Sequence, residues 1–270
     1  TYGNDSIYVN YATGMYSATG RSVERLLNCV GGYLPMYGDY STGMHQYVMP
    51  FMYGVGVSPY ENISASSVDQ AQNADLVLMF GNSPADNRMG GANVVWDYNT
   101  VREAGPEIIH IDYRLNETAA GYPSEWLPIR TGTDAALVAG IAHELITNDW
   151  VDLDFLHKYC VGYDEETMPA SAKGQNKSYH DYIMGLGYDK VEKTPEWAAE
   201  ITLVPAEKIR ELAAKIHDAK AVFVVQGWGL QRHSNGESAT RAVCMLALLT
   251  GNLGTVSYTH LRAHETLSDL

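Results

Sequence analysis

The sequence predicts an α/β fold in which helices cover both faces of a doubly wound, mostly parallel sheet. Residues 75–80, 107–111 and 221–225 are short, almost continuously apolar runs, the pattern of strands buried on both faces rather than half exposed. Helical periodicities follow the first and third of these runs and recur elsewhere, and alternating strands and helices signal a wound parallel sheet. In such sheets ligands lie outside the carboxyl ends of the strands. The candidate site is therefore the set of turns Gly81-Asn82-Ser83-Pro84, Asp112-Tyr113-Arg114 and Gly227-Trp228-Gly229.

Taken in order, residues 6–10 read as a strand and 17–30 as a helix. Residues 1–40 are assigned to the remnant of a neighbouring α/β lobe and 41–254 to the main domain. The opening Thr1, followed at once by a strand pattern, reads as an interior start, so the chain is uninformative about a leader. Further helices fit 134–146, 154–159, 195–201 and 206–217, the third of these with Thr194 as N-cap and Pro195 in its first position. Residues 164–193 mix Gly, Ser, Lys and Tyr without a sustained period, which predicts a peripheral excursion holding one short helix.

With 270 residues, 46% of them hydrophobic, the chain can bury one large core or two modest ones. A net charge of −14, a pI near 4.9 and the lack of any Lys/Arg-dense run argue against nucleic acid or an anionic membrane surface as partner. The longest apolar runs, such as 242–249, are too short to cross a bilayer. Cys29, Cys160 and Cys244 are far apart and form no C-x-x-C pair, so they assemble neither a zinc site nor an iron–sulfur cluster. Each is expected to be a buried thiol. His143-Glu144 does not extend to a zinc-binding H-E-x-x-H, because position 147 is Thr147.

The turn at 227–229 resembles a dinucleotide fingerprint only in part: the third glycine of G-x-G-x-x-G would stand at Arg232. Two readings remain. In one, glycines admit a bulky ligand to the backbone, with Gln231, Arg232 and His233 as donors ahead of a helix N-terminus suited to anions. In the other, this is a tight turn with an aromatic plug. Asp112, at the end of the middle strand, is placed either to meet a sugar hydroxyl or base edge or to cap a turn. Thr133 and Asp134, after Gly132, either cap a helix or contact a guanine or ribose. Ser41, between Gly38 and Gly43, lacks the G-x-S-x-G of a hydrolase elbow, because Asp39 stands two residues before it; an ordinary polar turn and a metal-ligating alkoxide stay open.

Taken together and in order, residues 4–11, 38–41, 80–84, 111–114, 125–137 and 226–254 resemble the molybdopterin oxidoreductases of the dimethyl sulfoxide reductase family. The resemblance covers nearly all of residues 1–254. It implies molybdenum held between two molybdopterin guanine dinucleotides, with Ser41 matching a serine oxygen that ligates the metal. A hard alkoxide suits a high-valent metal that lowers the hydroxyl pKa. Asn82, Asp112, Arg114, Gly132 and Asp134 match positions that hold one guanine dinucleotide. Gly227, Trp228, Gly229 and Arg232 match positions that line the cofactor near the metal, and Arg232 joins Tyr11 and Ser41 as the catalytic set. The Tyr11 phenol matches one that donates toward the oxygen being transferred. Tyr113 departs from the family, which often has proline there.

The resemblance further implies reduction of S-oxides or N-oxides by oxygen-atom transfer. A small oxidised substrate, an iron–sulfur electron-transfer subunit and a membrane anchor subunit would be the partners, at the periplasmic or outer face of the cytoplasmic membrane. The family's N-terminal motif for a 4Fe-4S cluster and its C-terminal domain are absent from this sequence, so the chain reads as a fragment, inactive alone. Residues 256–266 resemble a translated sequencing adapter, so 255–270 is read as a non-native tail. Two alternatives stand beside this reading. One is a formate dehydrogenase-like or nitrate reductase-like member of the same superfamily, and the other is a non-catalytic nucleotide-binding module.

Overall fold

The computed structural model describes residues 2–10, 17–36, 43–54, 67–87, 94–121 and 124–253. The chain divides into two compact units, Thr1–Gly43 and Met44–Leu270. In the first, a 3₁₀ turn at Asn4–Ser6 leads to β1 (Tyr8–Val9), then α1 (Ser22–Cys29) and β2 (Leu34–Pro35), which pairs in parallel with β1. Asn4 Nδ2 donates to Gly32 O at 2.6 Å and ties the start of the unit to its end. Both elements are shorter than the sequence pattern, and no residue of α1 is buried. Cys29 is accordingly exposed, a correction to the expected buried thiol, because a two-stranded ribbon and one helix bury too little apolar surface to cover it. Cys160 is half-buried and Cys244 buried.

The second unit holds all but the first residue of α2 (Gly43–Tyr53), then β3 (Leu76–Phe80), α3 (Pro84–Asn87), α4 (Val94–Ala104), β4 (Glu107–Asp112), α5 (Glu117–Ala120) and β5 (Glu125–Pro128). It continues with α6 (Asp134–Thr147), α7 (Leu153–Tyr159), α8 (Tyr179–Ile183), α9 (Pro195–Thr202), α10 (Ala206–Asp218), β6 (Val222–Gln226) and α11 (Gly236–Leu249). Its four strands pair in parallel in the order β5-β4-β3-β6. All five residues of β3 and of β6 are buried, as the apolar runs of β3 and of Val222–Val225 require, with the polar Gln226 ending β6. The fourth strand, β5, was not among the expected three: it is four residues long, only Leu127 in it is buried, and it ends in Pro128, which an edge strand tolerates.

Side chains alternate to two cores. Leu78, Phe80, Ile109 and Ile111 face α6, α10 and α11, whereas Val77, Met79, Phe223 and Val225 face Tyr98 and Val101 of α4 and the 3₁₀ turn at Val68–Asn73. Helix α6 is buried nearly all round, since α9, α10 and α11 enclose it. Helix α9 starts as the sequence indicates, with Thr194 Oγ1 accepting from Trp197 N at 3.2 Å and Pro195 in the first position.

The segment 164–193 is less peripheral than expected. Ser178 and Asp181 form a reciprocal cap on α8, and Ile183 is fully buried in the larger core. Lys193 is 1% exposed; its ammonium lies 2.7 Å from Asp189 Oδ2 and over the rings of Tyr182 and Trp197, at 4.5 and 5.4 Å. Buried charge is tolerated because a carboxylate and two aromatic faces replace its water.

Candidate functional site

The chain steps β3, β4, β5 in one direction across the sheet and then returns to lay β6 on the other side of β3. The winding reverses between β3 and β6, the place where open α/β sheets hold ligands. Here the two strand ends converge. Gly227 N donates to Phe80 O at 2.7 Å, and a Cβ on Gly227 would lie 1.9 Å from Gly81 O and 2.7 Å from Asn82 Cα. Position 227 therefore excludes every side chain for steric reasons, although its own φ of −81° is ordinary.

Around this point stand the turns of all four strands. After β3, Tyr98 OH donates to Asn82 Oδ1 at 3.2 Å, which fixes the carboxamide and turns its amide nitrogen to other use. Ser83 Oγ donates to Asp86 Oδ2 and lies 3.1 Å from Thr118 Oγ1. After β4, Asp112 is buried and accepts from Asn116 Nδ2 at 2.8 Å and Arg114 N at 3.4 Å, so it organises its own turn as well as ending its strand. Arg114 Nη2 donates to Asp86 Oδ2 at 2.7 Å, joining the β3 and β4 turns. Trp126 Nε1 of β5 donates to Asp112 O at 3.0 Å.

Beyond β5, Thr133 precedes α6 without capping it; its hydroxyl donates to Arg130 O at 2.6 Å instead. Gly132 holds φ +76°, a left-handed turn that side chains rarely adopt, and the His233 ring from the β6 turn lies against it. Asp134 begins α6 and is buried. Burial pushes its carboxyl up from 3.8 to about 6; its own backbone amide and the nearby His233 pull the value down, and Asp112 adds to the rise. After β6, Trp228 is buried and Arg232 lies over its ring, 5.1 Å from the centroid. Gly236 and Asn235 then start α11.

Every described residue expected at the site thus lies at the carboxyl ends of these four strands: Asn82, Asp112, Arg114, Gly132, Asp134, Gly227, Trp228, Gly229 and Arg232. Tyr11 and Ser41 lie outside the described residues. Sequence reading missed Asp86, whose only signal was the Ser83…Asp86 spacing of a helix start. It also missed Gln226 and His45. The Gln226 amide donates to Thr240 O at 3.3 Å and Cys244 Sγ at 3.5 Å, beneath the Gly227 turn. His45, next to Gln226 and buried, is lowered to about 4 by burial, so it is neutral at ordinary pH. His45 Nε2, Gln226 Oε1 and Thr240 Oγ1 are buried without hydrogen-bond partners, a polar knot that no periodicity could reveal.

The sequence model of the molybdopterin oxidoreductase family matches residues 1–266. The chain belongs to that family. Membership implies a molybdenum-molybdopterin cofactor. The chain is 49% identical over 262 residues to dimethyl sulfoxide reductase DmsA of Escherichia coli, covering 94% of this chain and 31% of that protein. To a trimethylamine-N-oxide reductase of Haemophilus influenzae it is 31% identical over 253 residues, covering 90% of this chain and 28% of the relative. The chain therefore spans about a third of the length of these relatives. Among solved structures, acetylene hydratase from Pelobacter acetylenicus shares the fold, with a TM-score of 0.59 at 20% identity over 86% of this chain and 28% of that one. Among the described residues, no group of three or more His, Cys, Asp or Glu could hold a metal ion, and no helix is long and apolar enough to cross a membrane.

Two outcomes test this geometry. Gly227→Ala forces a methyl into the Gly81 carbonyl and should cost about 3 kcal/mol or more in urea unfolding of the 270-residue chain, whereas Gly229→Ala, whose added Cβ would meet Gly81 O at 3.5 Å, should cost under about 1 kcal/mol. For Asp134 the folded pKa lies above the unfolded one, so the folded state keeps its proton longer as pH rises. Wild type should therefore lose stability relative to Asp134→Asn between about pH 4 and pH 6, by about 1–3 kcal/mol, and stay lower above that window. Parallel denaturation curves for the two proteins across pH 4–8 would contradict the assignment.

Proposed function

We propose that the protein to which this chain belongs reduces S-oxides or N-oxides by oxygen-atom transfer, and that the strand-end crevice seats a guanine dinucleotide of its cofactor. The observation that carries the reading is that nine expected residues lie in the turns at the carboxyl ends of one parallel sheet, in a family member whose relatives include reductases of dimethyl sulfoxide and trimethylamine N-oxide. The residues present fit such a group. Backbone at Gly229 is unobstructed, a Cβ there meeting only Gly81 O at 3.5 Å, and Nε2 of His233 is a buried polar atom with no hydrogen-bond partner. Molybdenum between two molybdopterin guanine dinucleotides would supply the two-electron redox chemistry.

The chain's own contribution is binding and orientation. Asn82 offers its amide as a donor, its carboxamide oxygen being held by Tyr98. Asp112 and Asp134 offer acceptors to base or sugar, and the N-terminus of α6 adds the positive end of its dipole. Arg232, set over buried Trp228, brings positive charge to the cofactor side of the β6 turn while the indole excludes water. Arg114, already engaged by Asp86, is oriented before any ligand arrives. Ser41 would ligate the metal, and Tyr11 would donate a hydrogen bond to the substrate oxygen. Electrons would come from iron–sulfur centres, including a 4Fe-4S cluster in the longer protein and a partner subunit, with a membrane anchor at the periplasmic face.

The test is Ser41→Ala in the full-length holoenzyme. Turnover of dimethyl sulfoxide should fall by more than about 100-fold, as loss of a metal ligand demands, while molybdopterin content is retained. Unchanged turnover and cofactor content would instead favour a non-catalytic nucleotide-binding module.

A further inference from the structure

His233 in the β6 turn has only half of its hydrogen bonding complete. Its Nδ1 lies 2.7 Å from Ser234 O. A carbonyl oxygen only accepts, so Nδ1 carries a proton, and the tautomer that this bond selects has its lone pair on Nε2. That nitrogen is buried and has no hydrogen-bond partner. The ring is held in place: a Cβ on Gly132 would lie 3.6 Å from its Cε1, 3.7 Å from Nδ1 and 3.8 Å from Nε2, so the β5 and β6 turns close on one another here.

The corner they form is rich in acceptors. Asp134 begins α6 two residues beyond Gly132, buried and within electrostatic reach of both His233 and Asp112. Arg114 is turned to Asp86 and Arg232 to the Trp228 face. Two carboxylates and an imidazole lone pair complement a ligand edge that carries adjacent N–H donors. Guanine presents N1–H and the N2 amine side by side on one edge. Hypoxanthine keeps N1–H and lacks the amine, and adenine places a lone pair at N1, which a carboxylate repels.

We propose that His233 Nε2 accepts a hydrogen bond from the exocyclic amine of a guanine whose N1–H is taken by Asp134, which makes His233 a base-specificity residue. This rests on the dinucleotide reading above. His233 then distinguishes guanine from hypoxanthine, and Asp134 distinguishes both from adenine.

The experiment is calorimetric titration of the 270-residue chain with GMP, IMP and AMP at pH 7.5. Wild type should bind GMP about five- to tenfold tighter than IMP, the worth of one hydrogen bond, and AMP more weakly than either. His233→Phe, which keeps a flat ring over Gly132 without the acceptor, should bind GMP and IMP equally with IMP affinity unchanged. His233→Gln, which restores an acceptor oxygen, should recover part of the preference. A measurement on wild type alone guards against misfolded variants: the ¹⁵N resonance of His233 Nε2 should move on adding GMP and stay in place with IMP. A His233→Phe variant that keeps the GMP preference, or an Nε2 resonance that responds alike to both nucleotides, overturns the role of His233 while leaving the dinucleotide site intact. Failure of wild type to bind either GMP or IMP overturns the dinucleotide reading and this inference with it.

Discussion

The structure of the larger unit depends on the contact between Gly227 and the Gly81 carbonyl, where β6 and β3 leave the sheet side by side. A parallel pair normally diverges at its carboxyl ends as each chain turns into its own helix. Here the missing side chain at 227 lets the two backbones stay together for another residue, sealed by the bond from Gly227 N to Phe80 O. The turns are thereby fixed relative to the sheet before any side chain is considered. Asn82, Trp228 and Arg232 inherit their positions from that contact.

From that anchor the rest of the site follows by short polar links rather than by apolar packing. Arg114 and Ser83 share Asp86, Asn116 and Arg114 N hold Asp112, Trp126 holds the Asp112 carbonyl, and His233 closes on Gly132. Each link joins the turn of one strand to that of a neighbour or steadies the turn itself. Such a network costs stability where it buries charge, as the raised pKa of Asp134 shows. The two apolar cores on either face of the sheet offset that cost. Rigidity at the strand ends and burial beneath them are thus complementary parts of one arrangement.

Much of this was legible in the sequence because the signals are local. An unbroken apolar run such as 221–225 can only be a covered strand or a buried helix segment, and the glycine just beyond it points to the strand. Thr194-Pro195 marks a helix start by chemistry alone. The four-residue β5 was missed as a strand because its burial comes from a register with β4 that no period records. Lys193 and Ile183 were assigned to a peripheral excursion with one short helix because their burial depends on Tyr182, Trp197 and α6, contacts made far from any repeating pattern. In the site, strand-end logic located Asp112 and Gly227, while the partners Asp86, Asn116 and His45 became visible only in three dimensions.

The proposed seat of the cofactor's dinucleotide is the switch point between β3 and β6. Hydrogen–deuterium exchange of the full-length enzyme, with and without molybdopterin loaded, tests it most directly. Cofactor should slow exchange in the segments 81–87, 112–116, 130–136 and 227–236, with helices α7 and α8 unaffected. Protection spread evenly over the chain, or concentrated away from these four turns, would contradict it.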